Sequence, residues 1–136
     1  MSPRPPWLRV LPLVAVMTTI FVLSHQPGDT LPLPAVVNLD KLLHLMAYTT
    51  LGLSFLLALP PDWRTRRPRA AAVCTVLFCL CYGLSDEFHQ QFVPGRFPGA
   101  DDLVADTLGG LCAVLIDRTR QRWVSRRSRA STLAGD

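Results

Sequence analysis

Long stretches of this sequence lack charged residues, which is unusual for a soluble domain. Charged residues make up 18% of the 136 positions and 49% are hydrophobic, yet four blocks of the chain hold almost no charge. The length favours a single domain. Because a soluble domain is not segregated in this way, the pattern predicts a small polytopic membrane protein with an all-α fold.

The sequence also lacks the cysteine motifs of a disulfide framework. Its four cysteines lie within the apolar blocks and have no C-x-x-C spacing, so we interpret them as small packing residues.

No internal repeat is evident. The net charge of +4 does not indicate a nucleic-acid partner, because the basic residues follow the positive-inside pattern of membrane proteins and suit anionic lipid headgroups.

Four apolar blocks predict a four-helix transmembrane bundle. They are residues 7–24, 42–59, 70–85 and 103–116. The first two suit a hydrocarbon core that needs about 20 helical residues. The third reaches that length only if its helix continues through Phe88 or Phe92, and the fourth must include Asp102 and Asp106. A less favoured interpretation treats the first block as a cleaved signal peptide ending near Ser24, which leaves three spans.

Basic residues fall mainly on one side of this four-span arrangement. Twelve of the 14 lie in the N-terminus, in the link between the second and third blocks, or in the tail, whereas Lys41 and Arg96 lie on the opposite side. The positive-inside rule predicts a multi-pass protein of the cytoplasmic (inner) membrane with both termini cytoplasmic. We expect a membrane domain over residues 1–117 and a basic tail over 118–136 that is loosely ordered or lies along the membrane surface.

Polar side chains concentrate on the predicted outer side, at helical spacing. Asp40, His44 and Tyr48 are four apart, which places them on one face of the second span. The third and fourth spans carry similar stripes, formed by Tyr82, Asp86 and His89 or Gln90, and by Asp102, Asp106 and Gly109. Ionisable groups at membrane depth face a bundle interior and are paired, so the three stripes predict a shared polar centre.

A small-residue pattern predicts which helices approach closely. Gly109 and Ala113 are four apart in the fourth block. This small-xxx-small spacing allows two helix backbones to come together. We therefore expect the fourth span to pack through these two residues.

Arg96 is predicted to be the main cation of the polar centre. It lies between the turn signals Pro94-Gly95 and Pro98-Gly99. The acids on the outer side, with only Lys41 and Arg96 to face them, are Asp29, Asp40, Asp86, Glu87, Asp101, Asp102 and Asp106. We expect the guanidinium to lie close to one acid of the third span and one of the fourth. The named partners are Asp86 or Glu87, and Asp102 or Asp106.

Acid–base chemistry is one interpretation of these residues. Asp86, Glu87 and His44 are the catalytic candidates, and an equally weighted alternative is a structural network of ion pairs. Asp86 and His89 are three apart, as on a metal-binding helix face, with His44 as a third ligand. Without a cysteine cluster or an H-E-x-x-H spacing, we predict no metal and no other cofactor.

Two motifs carry a resemblance to a known family. DKLLHLMAYTTLG at residues 40–52 and YGLSDEFHQQFVPGRFPGADDLVADTLGG at 82–110 resemble the VanZ-like family of small bacterial membrane proteins. The resemblance extends from about Ser24 to the end of the fourth block. The chain departs from the family pattern at Asp106, often asparagine there, and at Ala100, where a small hydroxyl residue is usual. The family is named for a member associated with low-level teicoplanin resistance, which implies a role in the cell envelope.

Three classes of function fit these observations. We favour an accessory or binding protein of the cell envelope whose outer polar cavity recognises a lipid-linked or amphiphilic molecule, such as a lipoglycopeptide. The first alternative is an intramembrane enzyme acting on a phosphate- or ester-bearing lipid, with Arg96 on the anion. The second is a transporter subunit, which would require oligomerisation because four short spans enclose little space.

Overall fold

The described part of the chain is helical. The computed structural model describes residue 5, residues 7–28 and residues 39–133, with side-chain surroundings up to residue 128. Asp29 therefore lies outside the described residues. The five helices are α1 (Trp7–Ser24), α2 (Leu39–Ala58), α3 (Pro61–Arg66), α4 (Pro68–Gln90) and α5 (Ala100–Leu133). No strand occurs in these ranges, so the all-α prediction is confirmed for them.

Three helices are long and apolar enough to cross a membrane, namely α1, α2 and α4. The first has the predicted bounds. Helix α4 continues to Gln90, beyond Phe88, which supplies the length that the third block needed. A proline at the first turn of α3 and of α4 suits the start of a helix, where the missing N–H is not required.

Helix α5 differs from its prediction in length. It runs without interruption from Ala100 to Leu133 and so includes most of the basic tail. Of the two alternatives given for the tail, loose order is therefore wrong for residues 118–133, which are helical. Asp101 and Asp102 lie in its first turn, where carboxylates interact favourably with the helix dipole.

Glycine at two positions allows α2 and α5 to pack closely, as the small-residue pattern predicted. A Cβ at Gly109 would lie 2.8 Å from the Leu45 carbonyl oxygen and 2.8 Å from the Tyr48 Cβ. A Cβ at Gly52 would lie 2.7 Å from the Cβ of Ala113. Cβ atoms in proteins do not approach other heavy atoms so closely. The close contact between α2 and α5 therefore requires glycine, which has no side chain, at both positions.

The core lies where α1, α2, α4 and α5 meet. Tyr48, Leu51 and Cys79 are almost fully buried and form one cluster with Ile20. Cys74 and Cys81 are exposed, so the interpretation of all four cysteines as packing residues is wrong for these two. Large apolar side chains, such as Leu11, Val73 and Leu115, are more than half exposed on the outside. An apolar exterior is typical of helices that contact lipid.

Candidate functional site

Four carboxylates are buried at one end of the helix bundle. This end, called the polar end below, contains the last turns of α1 and α4, the first turns of α2 and α5, and the 91–99 loop. Its buried acids are Asp86, Glu87, Asp102 and Asp106, with exposures of 6%, 8%, 8% and 0%. Buried carboxylates require partners, and each of them is held differently.

Lys41 pairs with three acids at the polar end. Its ammonium lies 2.7 Å from Asp40, 2.9 Å from Asp101 and 2.8 Å from Asp102. It therefore joins the first turn of α2 to the first turn of α5. Asp40 and Asp101 are exposed, whereas Asp102 is buried. The Asp40 carboxylate consequently lies at the edge of the polar end, outside the polar centre in which the sequence placed it.

His44 and Asp106 form the deepest polar pair of the site. Nδ1 of His44 lies 2.9 Å from Oδ1 of Asp106, and the Asp106 side chain has no exposed surface. The imidazole stacks on Tyr48, one turn further along α2, with 6.3 Å between centroids and 9° between planes. The predicted stripe on α2 is confirmed for His44 and Tyr48, and its partner on α5 is the predicted Asp106.

Asp86 is held by groups on α1 and α4. Its Oδ2 accepts a hydrogen bond of 2.8 Å from the Ser24 hydroxyl and one of 3.1 Å from the Gln90 amide. One turn earlier on α4, the Tyr82 hydroxyl donates to the Met17 carbonyl oxygen at 2.7 Å. The predicted stripe of α4 therefore faces α1, a helix for which the sequence indicated no polar partner.

Glu87 connects α4 to the loop that precedes α5. Its Oε2 accepts a hydrogen bond of 2.9 Å from the backbone N–H of Gly99. Its Oε1 is buried and has no hydrogen-bond partner among the described residues. Within the same part of the chain, Oδ2 of Asp106 and the Tyr48 hydroxyl are also buried and unpartnered. Unsatisfied buried polar atoms are rare in proteins, and each one calls for a physical explanation.

The prediction for Arg96 is wrong. Its guanidinium pairs with none of Asp86, Glu87, Asp102 and Asp106. Instead, Nε donates to the Gln26 carbonyl oxygen at 3.1 Å and Nη2 donates to the Leu23 carbonyl oxygen at 2.9 Å. These carbonyls lie at the end of α1, where the helix has no further N–H groups to offer and a positive charge is favourable.

The arrangement of the 91–99 loop explains this difference. Gly95 has a φ of 75°, a left-handed conformation that glycine adopts without strain. The adjacent Pro94 carbonyl accepts a hydrogen bond of 3.1 Å from the Gly28 N–H. The turn therefore lies against the end of α1. This places the Arg96 guanidinium at that helix end instead of beside the acids.

The metal-ligand set that the sequence suggested is replaced by another. A ring nitrogen of His89 lies 3.1 Å from a ring nitrogen of His25. Within the described residues, His89 makes no hydrogen bond to a carboxylate of the polar centre. His44, Glu87 and Asp106 each offer one ligand atom within 4.8 Å of the other two. These three residues come from three helices, so no local spacing in the sequence could reveal the set.

A cavity of about 380 Å³ opens beside the buried acids, between α1 and α4. Its lining residues are Phe21, Tyr82, Ser85, Asp86, Phe88, His89 and Phe92. Phe88 and Phe92 are 62% and 71% exposed and meet edge to face with 5.4 Å between centroids. The lining of the cavity therefore combines exposed aromatic side chains with a carboxylate and an imidazole.

Sequence reasoning missed three residues that hold the site together. Ser24 and the Gly99 N–H bind Asp86 and Glu87, and neither carries a signal that would separate it from an ordinary helix end or turn. Gly83 makes room for Asp106, because a Cβ there would lie 2.6 Å from Oδ2. Gly83 lies one helical turn before Glu87, and this spacing in the sequence could have revealed it.

Comparison with known proteins identifies the family. The model of the VanZ/LLP1 family matches residues 9–120, which is most of the chain, so this protein belongs to that family. The resemblance read from the sequence motifs is thereby confirmed. No curated protein and no solved structure matches the chain. Family membership and the apolar helices together make it a membrane protein of the VanZ type.

Proposed function

We propose that this VanZ/LLP1-family protein binds a lipid-linked or amphiphilic molecule at the outer face of the bacterial cytoplasmic membrane. In this proposal it crosses the membrane four times and both of its termini are cytoplasmic. The observation that carries the proposal is the cavity between α1 and α4, which is lined by aromatic side chains together with a carboxylate and an imidazole. An accessory role in the cell envelope follows, including tolerance of an acylated glycopeptide such as teicoplanin.

The burial of its acids supports α5 as the fourth span. Asp102 and Asp106 make this helix less apolar than the other three, but they are 8% and 0% exposed. Their carboxylates therefore face the bundle, while Val104, Leu108 and Leu115 are exposed on the outside. A span whose charges point inward can contact lipid along its outer face.

The distribution of arginine supports the orientation. Arg64 and the arginines after residue 117 lie at the end of the bundle opposite the polar end. Cytoplasmic segments of membrane proteins are enriched in arginine and lysine. The polar end would then face outward, and the cavity would open at the outer leaflet.

The shape and chemistry of the cavity suit an amphiphile. Ligand cavities commonly measure about 300–1,000 Å³ and combine apolar walls with a few polar groups, and this one measures about 380 Å³. An acyl or prenyl chain could lie along Phe21, Phe88 and Phe92, because these rings are exposed on the lipid side. The headgroup would then meet Asp86 and His89.

The charges at the polar end favour a headgroup rich in N–H and O–H donors. Arg96 is bonded to backbone carbonyls and Lys41 to three carboxylates. The charge of Lys41 is therefore compensated within the protein, and two of the five N–H groups of Arg96 are already occupied, so neither side chain favours a phosphate. Asp86, whose Oδ2 already accepts from Ser24 and Gln90, has a second carboxylate oxygen that can accept hydrogen bonds from amines, amides or sugar hydroxyls.

A second candidate function is favoured by the pair of His44 and Asp106. A carboxylate that orients an imidazole is a common arrangement in general acid–base catalysis. This supports the alternative of an intramembrane enzyme acting on an ester-bearing lipid, with Glu87 as the second acid. Untargeted lipid mass spectrometry of deletion and wild-type cells separates the two functions, because only an enzyme leaves an altered lipid.

Identification of co-purified lipids tests the binding proposal. The protein, with Phe92→Ala and Phe97→Ala as paired variants, is purified from bacterial membranes in mild detergent. Phe97 is 89% exposed in the same loop region but does not line the cavity. We expect one amphiphile enriched over bulk lipid in the wild type and in Phe97→Ala, and reduced about tenfold in Phe92→Ala. Equal enrichment in all three proteins would contradict the proposal.

A further inference from the structure

His44, Glu87 and Asp106 form a cluster of potential metal ligands that the binding proposal does not use. They lie on α2, α4 and α5, and one ligand atom of each lies within 4.8 Å of the other two. Glu87 and Asp106 are 8% and 0% exposed. The cluster therefore combines one imidazole and two buried carboxylates from three separate helices.

Each of the two carboxylates has one engaged oxygen and one unpartnered oxygen. Oε2 of Glu87 accepts from Gly99 and Oδ1 of Asp106 pairs with His44. Oε1 of Glu87 and Oδ2 of Asp106 are buried and have no hydrogen-bond partner in the part of the chain that the structure describes. Leaving a buried acceptor unsatisfied costs about 1–3 kcal/mol, and more for a charged group. Two such atoms in one cluster are explained if both bind the same absent group.

The unpartnered oxygen of Asp106 faces the helix that carries Glu87. A Cβ at Gly83 would lie 2.6 Å from Oδ2 of Asp106, so this oxygen points at α4. Glu87 is one helical turn after Gly83 on the same face of α4. The missing side chain of Gly83 thus gives the Asp106 carboxylate access to the strip of α4 on which Glu87 lies.

The charge of the cluster specifies what is absent. Two ionised carboxylates and a neutral imidazole carry a charge of −2, and burial of that charge requires compensation. Lys41 is engaged by Asp40, Asp101 and Asp102, and Arg96 by backbone carbonyls. A divalent cation supplies the compensating charge in a single group.

We propose that His44, Glu87 and Asp106 bind one divalent transition-metal ion. One nitrogen and two carboxylate oxygens are a donor set that suits Zn²⁺ or Mn²⁺. Ligands bonded at about 2.1 Å lie at most about 4.2 Å apart around one ion. Because the three donors already lie within 4.8 Å of one another, they need to move by no more than several tenths of an ångström, which is within the reach of side-chain rotation.

The site would leave coordination positions open. Metal sites with three protein ligands are typical of ions that also bind water or a ligand, whereas purely structural zinc sites have four. The ion would also bring a positive charge into the buried cluster, where neither Lys41 nor Arg96 pairs with Glu87 or Asp106. This inference is independent of the cavity beside Phe92, so either proposal can fail alone.

Metal content and thermal stability test the inference. The full-length protein in detergent is stripped with a chelator, supplied with Zn²⁺ or Mn²⁺ alone, freed of excess ion by gel filtration and analysed by mass spectrometry for metal. We expect about one ion per chain and a raised Tm, since a ligand that binds only the folded state stabilises it. Glu87→Gln, Asp106→Asn and His44→Gln should each weaken binding at least about tenfold.

His89→Gln is the matched control. It removes a histidine from the same end of the bundle without touching the proposed ligands, so its metal content should equal that of the wild type. Glu87→Gln and Asp106→Asn are nearly isosteric, and their helix content and elution volume report whether they fold. Wild-type protein that holds no ion and shows no rise in Tm would overturn the inference. Metal lost in His89→Gln but retained in Glu87→Gln would also overturn it.

Discussion

The imidazole of His44 and the carboxylate of Asp106 meet at 2.9 Å although they are 62 positions apart in the chain. The contact joins α2 to α5 at a point where the Asp106 side chain is fully buried. Close packing at Gly109, one turn deeper on α5, fixes the separation of the two helices. The pair therefore depends on the helix contact, and the helix contact must accommodate the pair.

Single and double substitutions should show that this pair is coupled. Removal of one partner from a buried hydrogen-bonded pair leaves the other polar group unsatisfied, at a cost of about 1–3 kcal/mol and more for a charged group, whereas replacing both by apolar side chains is much less harmful. We expect His44→Leu and Asp106→Leu each to lower the free energy of unfolding by more than the double variant does. The measurement is denaturant unfolding in detergent micelles with a chelator present.

Asp62→Leu is the control for this series. Asp62 is exposed on α3, and surface substitutions usually change stability by no more than about 0.5 kcal/mol. Strictly additive effects of His44→Leu and Asp106→Leu would show that the two side chains do not interact in the membrane protein.

Gly109→Leu should disrupt the contact between α2 and α5. Even a Cβ at this position would lie 2.8 Å from the Leu45 carbonyl oxygen, so the helices must separate to accept a leucine. Overpacking of this kind costs about 1–3 kcal/mol. Cys74→Leu introduces the same side chain at an exposed position on α4 and should leave the unfolding midpoint unchanged. If the two variants unfold alike, the packing face has been assigned to the wrong residues.

Arg96 should act as a clamp on the end of α1. Its Nε and Nη2 bond two different carbonyl oxygens, a geometry that the single ammonium of lysine cannot reproduce. We expect Arg96→Lys to lower the free energy of unfolding by about 1 kcal/mol and Arg96→Gln by about 2 kcal/mol. Limited proteolysis after Ser24 should accelerate in the same order.

Arg118→Gln, which removes an exposed arginine at the opposite end of the bundle, is the control for Arg96. A loss for Arg96→Gln as large as the loss for His44→Leu would instead indicate that the guanidinium neutralises a buried carboxylate. In that case the predicted pairing of Arg96 with the buried carboxylates would be right, and Arg96 would not act as a clamp on α1.

The sequence predicted the helices well because apolar blocks and small-residue spacing depend on local pattern. Residues 7–24 and 42–59 predicted α1 and α2 within three residues at each end, and the spacing of Gly109 and Ala113 predicted the α5 contact. The polar stripes were equally visible, since residues four apart lie on one face of a helix whatever the tertiary structure.

The roles of the two cations were not predictable in this way. Counting seven acids against Lys41 and Arg96 showed that pairing must occur, but a count carries no direction. The turn at Gly95 brings Arg96 to the end of α1, and this depends on tertiary contacts of the loop. Lys41 forms the ion pairs with the acids instead, because the first turns of α2 and α5 lie side by side.

Reporter fusions should reveal four spans with both termini inside. A reporter that is active only in the cytoplasm, fused after residue 136, should be active, and the same reporter inserted at the turn of Pro94 and Gly95 should be silent. The twelve arginines on the proposed inner side provide the physical reason. A second reporter that is active only outside the membrane should give the reverse pattern, and an active cytoplasmic reporter at the turn would contradict the four-span arrangement.

The most direct test of the central claim is site-specific cross-linking from the cavity in living cells. A photoreactive amino acid is placed at Phe88, which lines the cavity, and in parallel at Leu77, which is 51% exposed on the same helix outside it. Mass spectrometry then identifies the attached molecules. The account predicts that one lipid-linked or amphiphilic species dominates at position 88, whereas position 77 captures bulk phospholipid. The same mixture of phospholipids at both positions would contradict it.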